Sequence, residues 1–245
     1  MKRGVLHSLL LALALVLLQA CASDIPAVAP KCAPEAPVQT PFFMRGFSSL
    51  DPYTDPAVGY LEREDGEMIG SAVLVSPTEI ITAGHCMEGG KAVWFVTQEA
   101  CYRIKKCIIH PFYKAGDTIV VDLAVGLLET PCAAPPLPLV ASGYQYHRYD
   151  PLTVIGYGGG IKRRSAPNLF HYFGSLTEEP GFFKFLPLDG TVWFGDSGGA
   201  VLDADGTVIG VVSSLSIFNG HIYENSATRL DLFSKWIREA VCDTN

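Results

Sequence analysis

The chain has 245 residues, 49% of them apolar and 18% charged, and carries a formal charge of −7. That supplies enough apolar surface for one compact body or two small packed lobes, and too little charge for a disordered chain. The acidic balance argues against nucleic acid or an anionic lipid surface as a partner.

At the start, Lys2 and Arg3 precede an unbroken apolar run of ten from Leu9 to Leu18, followed by Gln19-Ala20-Cys21. Such a run is too short to span a bilayer, so residues 1–20 are expected to be a secretory signal. Leu18-Gln19-Ala20-Cys21 resembles the lipobox of bacterial lipoproteins, although Gln19 stands where that family has a small or hydroxyl residue. The resemblance implies cleavage before Cys21, diacylglycerol on its thiol, and a place in the bacterial cell envelope, in the periplasm or at the outer membrane. The alternative is ordinary signal cleavage and a free secreted protein. Without Lys2 and Arg3, 16 basic residues face 25 acidic ones and the charge becomes −9. A lipid at Cys21 would be the only membrane contact.

Residues 21–45 follow as a tether, with Pro26, Pro30, Pro34, Pro37 and Pro41 and little periodicity. From about 46 onward, short apolar runs alternate with turn residues. Strands are expected at Ala57–Glu62, Met68–Ser76, Glu79–Ala83, Ala92–Thr97, Tyr102–His110, Asp122–Leu128, Leu152–Gly156, Gly206–Ser213 and His221–Tyr223. Their β-branched and aromatic content, broken by Gly and Pro clusters, reads as an all-β barrel or sandwich. Near the end Phe233, Trp236, Ile237, Ala240 and Val241 fall on one helical stripe. Apart from Cys21 there are six cysteines: Cys32, Cys86, Cys101, Cys107, Cys132 and Cys242. An even number in an exported chain reads as disulfides rather than a metal site, and Cys107 with His110 is too little for zinc.

The densest chemistry lies in Gly195-Asp196-Ser197-Gly198-Gly199-Ala200. A serine hydroxyl is a poor nucleophile at neutral pH and needs a base to take its proton. The base needs a buried carboxylate, and the oxyanion formed on a substrate needs backbone donors. His85 ends an apolar stretch in Ile80-Ile81-Thr82-Ala83-Gly84-His85-Cys86, and Asp122 opens Asp122-Leu123-Ala124-Val125. Taken singly, His85 reads as well as a packing residue and Asp122 as a surface turn.

Together, Thr82-Ala83-Gly84-His85-Cys86, Asp122-Leu123-Ala124-Val125 and Gly195-Asp196-Ser197-Gly198-Gly199-Ala200 resemble the trypsin/chymotrypsin family of serine proteases, in the family's order His, Asp, Ser. The resemblance implies an all-β fold of two six-stranded antiparallel barrels, about 46–135 and 136–230, within a domain of 46–245 that ends in a helix at about 231–241. It implies His85 as general base, Asp122 as its orienting carboxylate, Ser197 as nucleophile, and the amides of Gly195 and Ser197 as the oxyanion hole. The substrate would be a protein or peptide, and no cofactor or metal is called for. Val211-Val212-Ser213-Ser214-Leu215 is similar to the family's cleft-lining strand, with Ser213 supporting Asp122 and the next residues pairing with substrate backbone.

Departures from the family carry information too. Thr191 stands at the floor of the specificity pocket, with Leu215 and Asn225 on its walls, so Arg or Lys preference is not expected; Asp189 is the nearest carboxylate. Trp193 replaces a cysteine, and no cysteine in Gly70-Ser71-Ala72-Val73-Leu74 answers Cys86. The family's habit of tying its N-terminal segment to the body suggests Cys32 with Cys132, and its zymogen cleavage would fall after Arg45, freeing Gly46 to meet Asp196. Two rivals remain. One is a catalytically silent envelope lipoprotein that binds a partner in an inherited cleft. The other is an α/β-hydrolase, with Asp203 or Asp205 and His221 following the serine.

Overall fold

The computed structural model describes residues 55–115, 118–160, 163–174, 181–188, 191–218 and 221–242. The first barrel joins β1 (Val58–Glu62), β2 (Met68–Ser76), β3 (Glu79–Thr82), β4 (Trp94–Val96), β5 (Cys101–Ile109) and β8 (Ala124–Leu128). Two short strands, β6 (Lys114–Ala115) and β7 (Thr118–Ile119), form a separate ribbon between β5 and β8. The second barrel joins β9 (Pro151–Gly156), β10 (Arg163–Phe173), β11 (Phe182–Pro187), β12 (Ala200–Leu202), β13 (Val208–Phe218) and β14 (His221–Arg229). Each barrel closes through antiparallel pairs, in the orders β1-β2-β3-β8-β5-β4 and β10-β11-β14-β13-β12-β9. The expected all-β fold of two six-stranded antiparallel barrels is therefore present. An α/β-hydrolase, which needs a parallel sheet wrapped by helices, is excluded.

Local chemistry sets these strands. The β1–β2 connection turns at Gly66 (φ +85°), whose N–H donates to the Arg63 carbonyl at 3.1 Å. Leu61, Leu74, Ile80 and Phe95 fill the first barrel, and Ile155, Phe183, Phe185 and Ile209 the second. Burying each of these contributes about 1.5–3 kcal/mol before conformational entropy is counted. The cluster of the second barrel runs on into the first, taking in Val73, Ile81 and Leu123 with Ile155, Val201 and Val211, so the two barrels share one apolar core.

The apolar stripe near the end does form a helix, Ser234–Cys242 (α2), and the other α-helical segment among the described residues is the four-residue turn Gly84–Met87 (α1). Ile237 and Ala240 are buried, and the rings of Phe233 and Trp236 lie 4.9 and 4.6 Å from that of His110, just beyond β5. The segment leaving the second barrel therefore clasps the first. Burial there pushes the His110 imidazole below its ordinary pKa.

The sequence pattern misses β10, β11 and β12. Pro167 interrupts β10, Lys184 splits the apolar run of β11, and β12 has only three residues. The disulfide reading needs correction. Cys86, Cys107 and Cys132 are free thiols, which rules out Cys32 with Cys132 and a fully paired set of six. Cys132 is buried within the first barrel's core cluster, its N–H donates to the Pro77 carbonyl at 2.7 Å, and its thiol meets the Tyr102 hydroxyl. Cys107 is half-buried, and desolvation pushes its thiol up to about 11. Cys101, in contrast, is disulfide-bonded. The expected signal, the tether, Cys21 and the Arg45–Gly46 cleavage point lie outside the described residues.

Candidate active site

Strand β3 carries Ile80, Ile81 and Thr82 into the core, and the chain then breaks out into the single turn of α1. This places His85 on a rigid edge beside Asp122, which lies two residues before β8 instead of opening it. The carboxylate is held from three sides. Its Oδ1 accepts the His85 backbone N–H at 2.9 Å, and its Oδ2 meets His85 Nδ1 at 2.7 Å. Ser213 Oγ, from β13 of the other barrel, donates to the same Oδ2 at 2.7 Å. Thr228 Oγ1 on β14 adds a bond to the Asp122 main-chain carbonyl at 2.8 Å. With its side chain 1% exposed, a charged Asp122 is tolerable only because of these donors.

The imidazole feels opposing influences. Burial disfavours its charged form, but the hydrogen bond it donates to Asp122, then the hydrogen bond and charge of Cys86 and the charge of Asp122, outweigh it and push the pKa up to about 10.

Ser197 stands on the loop between β11 and β12. Trp193 to Asp196 make a β-turn, with Asp196 N–H donating to the Trp193 carbonyl at 3.0 Å and Gly195 at φ +100°. A positive φ at the third turn position is what glycine supplies without strain. The carboxylate of Asp196 is fully buried inside the loop. Its Oδ1 accepts the Gly158 N–H at 2.6 Å and its Oδ2 that of Trp193 at 2.8 Å. Gly198 sits at φ +83° against Thr82, where a Cβ would fall 2.1 Å from Oγ1 and 2.2 Å from the Ser71 carbonyl. No other residue fits there.

Amide use along this loop alternates. The N–H groups of Asp196, Gly198 and Gly199 bond to the carbonyls of Trp193, Val212 and Asp196. Among the described residues, those of Gly195 and Ser197 have no acceptor in the chain. They flank the hydroxyl and are free for an external oxygen. Ser197 Oγ itself donates weakly to the Ser213 carbonyl at 3.5 Å, and no hydrogen bond joins it to His85. Both residues nevertheless line one cleft of about 400 Å³, rimmed by Met68 and the 75% exposed ring of Phe194. Loose contacts of this kind are common without substrate.

The remaining expected positions lie on the second barrel. Ser214 is exposed and Leu215 half-buried on β13, where Leu215 pairs with Asn225 on β14. Asn225 is fully buried, and its Oδ1 accepts Thr191 Oγ1 at 3.0 Å, while its Nδ2 has no partner. Asp189 lies outside the described residues. Sequence reasoning passed over Ser71 and the role of Gly158. The run Gly156-Tyr157-Gly158-Gly159-Gly160 signals a close backbone approach, but not that the visitor would be Asp196.

Comparison with known proteins identifies the family and the fold. The family model for the trypsin-like peptidase domain matches residues 70–211. The "Putative serine protease HhoB" of Synechocystis sp. is 29% identical over 183 residues, covering 71% of this chain and 39% of that protein. The chain thus spans about two fifths of the length of that relative. Human heparin binding protein superposes with a TM-score of 0.68 at 17% identity, over 82% of this chain and 97% of the other. VesB protease of Vibrio cholerae gives 0.68 at 16% identity, over 81% and 68%. At such identities the superpositions speak for the fold alone.

Proposed function

The chain belongs to the trypsin-like peptidase family, and from that premise we propose that it is a serine endopeptidase acting on protein or peptide substrates through an acyl-enzyme. His85 Nε2 takes the proton of Ser197 Oγ as the oxygen attacks the scissile carbonyl carbon. The carbonyl electron pair moves onto its oxygen, which the amides of Gly195 and Ser197 receive. Asp122 stabilises the imidazolium. The C–N bond then breaks, with His85 returning the proton to the leaving amine. Water, deprotonated by His85, attacks the ester and releases Ser197 by the same steps in reverse. The observation that carries this reading is the 2.7 Å contact of His85 Nδ1 with a buried Asp122, on one cleft with Ser197 and two unbonded amides.

Thr191 and Asn225, joined by a hydrogen bond, bring no charge to the expected pocket, and Leu215 stands opposite Asn225 on the neighbouring strand. The P1 side chain is accordingly small or medium and uncharged, not Arg or Lys. The silent-cleft reading keeps one observation in its favour, the turn of Ser197 Oγ toward Ser213. Labelling with a fluorophosphonate probe separates the two: modification at Ser197, lost in Ser197→Ala, supports the protease, and an unreactive wild-type protein refutes it. We place the protein outside the cytoplasm, on a lipid at Cys21. Incorporation of a labelled fatty acid that persists in Cys21→Ala would refute the anchor.

A further inference from the structure

Ser71, on β2 of the first barrel, is fully buried and spends every polar group it has near the nucleophile. Its N–H donates to the Ser197 carbonyl at 2.7 Å. Its own carbonyl accepts Thr82 Oγ1 at 2.7 Å. Its Oγ donates to the Gly195 carbonyl at 2.6 Å and accepts the Tyr157 N–H at 2.9 Å. One hydroxyl therefore bridges two segments of the other barrel, 86 and 124 residues away in sequence.

We propose that Ser71 is a positioning residue for the oxyanion hole, fixing from the opposite barrel the peptide unit that follows Gly195. Gly195 is at φ +100°, a region where glycine meets little resistance to turning its peptide planes. A planar peptide cannot turn its carbonyl without turning the N–H on its other side. Holding the Gly195 carbonyl thus fixes the Asp196 N–H against Trp193, and with it the turn that orients the Gly195 amide. The hydroxyl has one proton to give. Because the Tyr157 N–H occupies it as acceptor, that proton is committed to Gly195. Asp196 secures the inner side of the same loop through Gly158 and Trp193, so the loop is pinned from within and from across the barrel interface.

The inference rests on the serine protease reading, and the experiment separates the failure of one from that of the other. Hydrolysis of p-nitrophenyl acetate and the rate of fluorophosphonate labelling are measured for the wild type, Ser71→Ala and Ser71→Cys. Loss of a direct oxyanion donor costs about 10²–10³ in kcat. A residue one step removed is expected to cost about tenfold to a hundredfold, in kcat and not in KM, with the midpoint of the pH profile unchanged because His85 and Asp122 are untouched. Ser71→Cys fills nearly the same volume with a poor donor and should show the same loss. Full activity in Ser71→Ala, or recovery in Ser71→Cys, overturns the proposal; so does failure of both variants to fold, which would make Ser71 a structural residue. A wild-type protein that does not react at all refutes the protease reading instead.

Discussion

Replacing Asp122 by Asn tests the site most sharply, because the two side chains share a shape and differ in what they present. The carboxylate faces three donors: the His85 main-chain N–H, His85 Nδ1–H and the Ser213 hydroxyl. An amide has one accepting oxygen and one NH2 group. If the NH2 faces the backbone N–H, two donors oppose each other and a buried group is left unsatisfied, at about 1–3 kcal/mol. If it faces Nδ1, that nitrogen must lose its proton, and the proton then sits on Nε2, where the base should be empty. The tautomer needed for taking the Ser197 proton is therefore kept only in the first orientation, with its unsatisfied buried donor. The same change in a related triad lowers kcat by about 10⁴, equivalent to about 5.4 kcal/mol of barrier. The fluorophosphonate labelling rate of Asp122→Asn should fall by about that factor, with the circular dichroism spectrum unchanged. NMR titration of the His85 ring should also show its pKa well below about 10, since the carboxylate that does most to raise it is gone while burial remains. A loss under about tenfold, or an unaltered ring titration, would show that Asp122 does not orient this histidine.

Three further outcomes follow from individual contacts. Because the His85 pKa is raised in the folded protein, the stability it confers is fully present below about pH 6.5 and is lost as pH climbs through about 10, while kcat/KM rises over that span; Cys86→Ala should move the kinetic midpoint downward, and an unmoved midpoint would remove Cys86 from the account. Gly70→Cys places a Cβ 2.6 Å from Cys86 Sγ, so oxidation should leave one titratable thiol fewer than in the wild type and add about 3 kcal/mol for a loop of about this length; an unchanged thiol count would contradict the placement of β2 against α1. Gly198→Ala forces a Cβ onto the Ser71 carbonyl at φ +83° and should cost more than about 2 kcal/mol in urea unfolding, whereas wild-type stability would mean the loop does not lie against Thr82.

Some of this protein is written locally. The β2 run Met68–Ser76 is readable from end to end, because a strand that folds one face into a core must repeat its apolar residues. The stripe from Phe233 to Ala240 declares a helix for the same reason. Three short motifs in the order His85, Asp122, Ser197 point to a reaction class, because a serine nucleophile demands a base, a carboxylate and a glycine-bearing turn wherever it occurs. What the order of residues could not decide is who meets whom across the two barrels. Six cysteines invite pairing, yet a bond depends on where the backbone sets each thiol, and the thiols of Cys86, Cys107 and Cys132 are left free. The isolated letter Ser71 carries no periodic or compositional mark; only the packing of one barrel against the other brings it to a carbonyl 124 positions away. Local free-energy preferences act over a few residues and are repeated along the chain, so they leave a pattern. A contact made once, between distant segments, leaves none.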